Sequence, residues 1–226
     1  MWLDDTIINA GQKLLKRQFP DIGGLNSTLA VAAKSCEILP AGAVQIIHIL
    51  SNHWVCIKVS EDKSTIYLYD SKYPSIPSAV VDLILDITRS EKAAITIKSM
   101  KMQEQEGCDA CGVYSLAVAT ALCTKQNPSV LRWEQEAMWQ HLLQCFEVEN
   151  LTAFPLDRKA GSLPDKNEVV KTTIVHDLYC ICRRRYKPKD RMKQCKECNG
   201  WFHVDCLKIP ATVMVKGGIW TCSACI

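Results

Sequence analysis

Apolar side chains recur at Ile7, Ile8, Leu14, Leu15 and Phe19, the spacing of one helical face, and predict an amphipathic helix over residues 3–19 that Pro20 stops. Residues 21–30 read as loop, with Gly23 and Gly24 at a turn. Residues 43–50 and 53–59 then read as strands, the second alternating through His53, Val55, Ile57 and Val59. A short strand over residues 65–69 ends at Asp70, a helix follows over 78–88, and another strand over 94–100. From Cys111 to Cys123 nearly every residue is apolar or small, the pattern of a buried helix, and residues 129–146 close the segment as a further helix. Strands followed by a helix-rich segment predict an α+β layer. Pro155, Gly161 and Pro164 interrupt a polar stretch over 152–171 that reads as a linker.

Composition narrows the class. A hydrophobic content of 48 % in 226 residues excludes a disordered chain and suffices for one sizeable core plus a small module. The opening MWLDDT lacks the basic stretch of a secretory signal, and residues 41–50, broken by Gln45 and His48, are too short to span a bilayer. An intracellular protein without a membrane partner is expected. Seven of the 13 cysteines fall in the last 47 residues at metal-ligand spacings, which favours zinc in a reducing compartment over disulfides. Charge is divided too. Residues 1–150 carry 13 Lys and Arg against 17 Asp and Glu, a net of −4, whereas residues 151–226 carry 14 against 7, a net of +7. The two parts are expected to meet different partners.

The stretch QEGCDACGVYSL, residues 105–116, places Cys111 between polar turn residues and the buried helix, where the positive end of the helix dipole favours a thiolate. A cysteine nucleophile needs a base, a group that orients the base, and donors for the oxyanion. His53, Asp70 and Gln105 supply one of each. Cys108 is a rival thiol; Cys36, Cys56, Cys123 and Cys145 lie in apolar segments and are expected in the core.

The order His53-Trp54, Tyr69-Asp70-Ser71, Gln105 and, six residues on, Cys111-Gly112-Val113-Tyr114 resembles the ubiquitin-like-protein protease family, the SUMO-deconjugating cysteine peptidases related to adenovirus protease. Trp2-Leu3-Asp4-Asp5 resembles that family's opening Trp-Leu-x-Asp motif. The resemblance implies a papain-like, adenain-like peptidase fold over residues 1–156 that needs no cofactor. Within it Cys111 would be the nucleophile, His53 the base and then acid, Asp70 the orienting carboxylate and Gln105 the oxyanion donor, with Trp2, Trp54 and Gly112 meeting the Gly-Gly tail of a SUMO-type or NEDD-type modifier. Where the family has a polar residue just before the nucleophile, this chain has Ala110, with Asp109 one place earlier.

A second ligand-rich pattern follows from Tyr179. Cys180 and Cys182, Cys195 and Cys198, His203 and Cys206, and Cys222 and Cys225 make eight zinc-type ligands, enough for two tetrahedral sites whose metal would supply folding energy that so short a segment lacks. Four cysteines, one histidine and three cysteines, with Trp220 two residues before the last pair, resemble the PHD finger, here over residues 177–226 after a 157–176 linker. The resemblance implies two Zn2+ in a cross-braced arrangement, with Cys180, Cys182, His203 and Cys206 on one ion and Cys195, Cys198, Cys222 and Cys225 on the other. Tyr179, Tyr186, Met192 and Trp201 stand where such fingers place the aromatic walls that hold a methylated lysine of the histone H3 tail by cation-π attraction. Against that, Arg183, Arg184, Arg185, Lys187, Lys189, Arg191 and Lys193 form a basic segment that repels a basic tail unless Asp190, Glu197 and Asp205 offset it, and that could instead rest on DNA phosphate in a nucleosome or be only a solvated loop.

Together these features predict a nuclear cysteine peptidase or isopeptidase, tethered to chromatin by its finger. The pairing also resembles mobile-element proteins that process their own polyprotein, and a non-catalytic module binding a ubiquitin-like protein and chromatin is the competing class. The complete His53, Asp70, Gln105 and Cys111 set argues for catalysis, and the ligand order argues against a ubiquitin-ligase finger.

Overall fold

Helix α1 (Asp5–Gln18) begins where the Asp4 carboxylate accepts the Ile7 N–H at 3.0 Å, and it ends with Lys16 and Arg17 in its last turn, each charge at the favourable end of the dipole. The computed structural model describes residues 2–50, 52–73, 75–157, 170–209, 214 and 218–226. They form two compact units, Met1–Arg89 with Thr96–Ile174, and Ser90–Ile95 with Val175–Ile226.

The first unit is built on strands β1 (Val44–Ile49), β2 (His53–Val59), β3 (Thr65–Tyr69) and β4 (Ala94–Met100), with β1–β2 and β2–β3 antiparallel and β3–β4 parallel. A fifth strand, β5 (Val170–Asp177), follows β4 in the sheet order. Helix α4 (Cys111–Cys123) is buried along its whole length, which is why its sequence shows no polar face. It packs against β1, β2 and α1, and its side chains join Ile8, Leu15, Val44, Ile46 and Cys56 in one core. Gly11 lets α1 approach closely, since a Cβ there would stand 2.4 Å from the Leu116 Cδ2. Polar residues staple this layer: buried Gln45 donates to Gln12 Oε1 at 2.9 Å and to the Asn26 carbonyl at 3.0 Å, and accepts the Asn26 N–H at 2.8 Å.

Three expectations change. The helix predicted over 129–146 divides into a 3-10 turn (Pro128–Val130) and α5 (Gln135–Glu147), because the Trp133 backbone is taken by the Gln103 side chain and by a bridge to Leu156. A short helix α2 (Thr28–Ala32) grows out of the expected loop, and α3 (Ser78–Thr88) stands as predicted. The predicted linker falls partly on residues 158–169, outside the described residues, and its last part is strand β5, where Thr172, Thr173, Ile174 and Val175 supply the β-branched side chains a strand favours. Of the four cysteines expected in the core, Cys56, Cys123 and Cys145 are buried and Cys36 is half-buried.

In the second unit, β6 (Met192–Gln194) and β7 (Trp201–His203) pair antiparallel. Most of the other described residues after Asp177 lie in loops and turns, held by bonds such as that from the Cys195 N–H to the Gly200 carbonyl at 2.9 Å. Among the described residues no helix is long and apolar enough to cross a membrane.

Candidate active site and metal centres

His53 opens β2 and Asp70 follows the last residue of its antiparallel neighbour β3, so the register brings both to one end of the sheet. His53 Nε2 lies 2.7 Å from Asp70 Oδ1, and both side chains are buried. The same carboxylate oxygen accepts the Lys72 N–H at 2.8 Å and the Tyr73 N–H at 2.9 Å, an Asx turn that sets its direction. The Tyr73 ring packs edge-on against His53, with centroids 4.8 Å apart.

Cys111 is the first residue of α4 and fully buried. Burial pulls the His53 pKa down, but hydrogen bonding to Asp70 and to Cys111, and the negative charge of both, outweigh it and raise the value to about 9. With Nε2 given to Asp70, Nδ1 is the ring nitrogen left for the thiol. The arrangement can therefore store a proton on the imidazole beside a sulfur nucleophile at the positive end of a helix. Cys108, by contrast, is exposed in the preceding turn.

Gln105 sits in the loop after β4. Its N–H donates to the Ser71 carbonyl at 2.9 Å, its Oε1 accepts from Ser71 Oγ at 2.8 Å, and its Nε2 donates to the Gly107 carbonyl at 3.3 Å. The residue after Asp70 thus holds the amide by its oxygen, and the bond to Gly107 takes one of the two N–H groups of Nε2.

Trp2, Trp54 and Gly112 meet through Leu3. Trp54 Nε1 donates to the Leu3 carbonyl at 2.8 Å, and the Leu3 side chain covers Gly112. Trp2, Leu3, Leu29, His48, Asn52 and Trp54 line a cleft of about 580 Å³. His48 stands opposite Trp54 in the β1–β2 register, with ring centroids 4.5 Å apart. Burial, and then the charge of His53, hold its pKa below the ordinary value. Sequence reasoning missed Tyr73 and His48 and named Leu3 only as part of the opening motif. The Leu3 contribution is a backbone carbonyl, for which no side-chain signal exists; His48 carried one, as a polar residue in an apolar strand. A Cβ on Gly112 would lie 2.8 Å from Leu3 Cβ. Gly112→Ala is therefore expected to displace Leu3, weaken the Trp54 bond and destabilise the unit by about 1–3 kcal/mol, read as a lowered unfolding midpoint.

In the second unit the eight predicted ligands fall into two sets. Cys180, Cys182, His203 and Cys206 converge in one and Cys195, Cys198, Cys222 and Cys225 in the other, with donor atoms within 4.8 Å of one another in each. The interleaving follows the cross-braced order. Separations of 3.9 Å between the Cys198 and Cys222 sulfurs, 3.5 Å between those of Cys222 and Cys225, and 3.3 Å from Cys182 Sγ to His203 Nδ1 suit the edges of a zinc tetrahedron, about 3.7 Å between sulfurs. His203 Nε2 lies 3.4 Å from Asp190 Oδ2, which fixes Nδ1 as the ligand atom. Backbone N–H groups, that of Cys198 foremost, bring Cys195 down to about 6, whereas the neighbouring Cys222 pushes Cys225 up, as the sulfurs crowd one another. The two clusters fit structural zinc.

Tyr179, Tyr186, Met192 and Trp201 surround a pocket of about 270 Å³. Tyr186 and Trp201 are exposed, and Tyr179 and Met192 half-buried.

Residues 180–225 match the family model of the PHD finger. The chain is similar in fold to the SUMO protease Ulp1 with its catalytic cysteine oxidised to a sulfonic acid, at 15 % identity and a TM-score of 0.51 over 66 % of this chain and 80 % of that one. The chain joins a domain of SUMO-protease fold to a PHD finger. A further similar structure is the C-terminal Ulp1 protease domain in complex with SMT3, the yeast orthologue of SUMO, at 16 % identity and a TM-score of 0.46 over 56 % of this chain and 68 % of that one. Over 48 residues the chain is 35 % identical to the chromatin remodelling protein SHL of Arabidopsis thaliana, a match spanning 21 % of each protein.

Proposed function

We propose that residues 1–156 form a cysteine peptidase that cleaves after the Gly-Gly tail of a SUMO-type or NEDD-type modifier. The observation that carries this is the buried His53, held by Asp70 and interacting with Cys111 at the N-terminus of α4. The Cys111 thiolate attacks the carbonyl carbon of the last glycine, and the oxyanion is met by Gln105 Nε2 and by first-turn N–H groups of α4. His53 then gives its proton to the leaving amine, the carbon–nitrogen bond breaks and a thioester remains on Cys111. Water, deprotonated by His53, hydrolyses that thioester and restores the thiol. Trp2 and Trp54 wall the cleft that admits the tail, where the absence of a side chain at Gly112 leaves room for Leu3.

The finger, residues 177–226 after a linker, holds two zinc ions in this reading. Its four-residue pocket takes a methylated lysine of the histone H3 tail, because aromatic walls attract a quaternary ammonium that has no hydrogen bonds to lose. The pairing implies a peptidase that acts on chromatin in the nucleus.

The test is a panel of SUMO, NEDD-type and ubiquitin probes bearing a C-terminal thiol-reactive group. We expect one probe to add its mass to the protein and to the Cys108→Ala variant, and not to Cys111→Ala. An intact protein that forms no adduct with any probe sinks the peptidase reading and leaves the non-catalytic binding module.

A further inference from the structure

The basic segment of the finger is not used by the function proposed above. Eight of the 14 residues from Arg183 to Lys196 are Lys or Arg, and the single acid among them is Asp190. Across residues 177–226, ten Lys and Arg stand against four Asp and Glu, a net of +6.

Two of the three acids nearest the segment are already engaged, and the third, Glu197, is exposed beside Lys196. Asp190 Oδ2 accepts the Lys187 N–H at 2.7 Å and lies 3.4 Å from His203 Nε2, while Asp205 pairs with Arg191 at 2.7 Å. Arg183, Lys189, Lys193 and Lys196 form no ion pair with another described residue. Lys189 and Lys196 are exposed, and Arg183 and Lys193 half-buried.

Register separates part of this charge from the four-residue pocket. Met192 pairs with His203 and Gln194 with Trp201 on one face of the hairpin, whereas Lys193 pairs with Phe202 on the other. A ligand of this surface need not enter the pocket. The rings argue for duplex over single-stranded nucleic acid. Tyr179, Tyr186 and Trp201 line the pocket, and Phe202 packs against Trp220 at 5.6 Å, so no row of free rings is left to stack successive bases. Nor does the described finger contain a helix of useful length to enter a major groove, which leaves backbone contact without base readout.

We propose that the unpaired cations Arg183, Lys189, Lys193 and Lys196 bind the phosphate backbone of duplex DNA without regard to base sequence. This stands apart from the methyl-lysine reading, and the test keeps the two separate.

The full chain is titrated into a fluorescein-labelled duplex of roughly 20 bp and arbitrary sequence, and fluorescence anisotropy is followed from about 50 to about 200 mM salt. Four phosphate contacts predict that log K falls against log salt with a slope of about −3 to −4. Lys189→Gln/Lys193→Gln/Lys196→Gln is expected to bring the slope to about −1 and to weaken binding at least about tenfold, with zinc content unchanged as evidence of an intact finger. Trp201→Ala should leave duplex binding unaltered. Loss of saturable binding throughout the salt range, or a slope unmoved by the triple substitution in a zinc-loaded protein, would overturn the proposal. So would tighter binding of a single strand that depends on Trp201, which would assign the contact to the rings.

Discussion

Asp70→Asn is expected to lower kcat/KM by about 10²–10⁴ and to move its alkaline limb toward neutral pH. Asp70 and Cys111 raise the His53 pKa to about 9 against the opposing effect of burial. The imidazolium therefore persists to about pH 9, and activity that needs it as the acid for the leaving amine falls as pH rises through that value. Because the folded pKa exceeds the ordinary 6.5, the charged ring also stabilises the fold fully below about 6.5, and that contribution is lost as pH rises through about 9. An asparagine oxygen can still accept the Lys72 and Tyr73 N–H groups, so the turn survives while the negative charge on His53 is removed. The measurement is the pH profile of kcat/KM on a fluorogenic Gly-Gly-linked modifier. A limb that stays near 9 in the variant would show that Asp70 does not hold the imidazolium.

Stripping the metal is expected to unfold residues 175–226 and leave the first unit standing. The finger has two three-residue strands as its own sheet, and its buried apolar residues, such as Leu178, Val204 and Ile209, are few. Structural zinc is worth about 10–16 kcal/mol in small fingers at neutral pH, far more than that burial supplies. The first unit has its own core around α4 and no counterpart to the two ligand clusters among its described residues. A strong zinc chelator should therefore abolish amide dispersion for the finger in NMR spectra and leave resonances of residues such as Val113 and Leu116 in place. Elemental analysis should find two zinc ions per chain, and Cys222→Ala, which removes one ligand from the four-cysteine set, should reduce that number and loosen the finger in the same way. Retention of a dispersed finger without metal would show that its loops are held by packing.

The resemblance of the whole candidate site was legible because its parts are short and ordered. Cys111 announces itself by the change from polar turn to unbroken apolar run, and the eight ligands by spacings that chance seldom produces. Tyr179, Tyr186, Met192 and Trp201 are scattered over 23 residues of sequence, yet they converge on one pocket because the ligand pairs beside them fix the loops that carry them. The helix predicted over 129–146 was too long because periodicity cannot see the Gln103 side chain that claims the Trp133 backbone.

Spacing and periodicity act within a few residues, so the sequence alone determined the α+β class, the buried helix behind Cys111 and which eight residues are candidate metal ligands. Tertiary structure decided what depends on distant chain segments meeting. It selected which four ligands share each centre, since that depends on how the finger crosses itself. It tied Trp54 to the Leu3 carbonyl, a group every residue carries and no pattern marks. It also brought His53 within 2.7 Å of Asp70, because antiparallel register places residues 17 apart in sequence at the same end of two neighbouring strands.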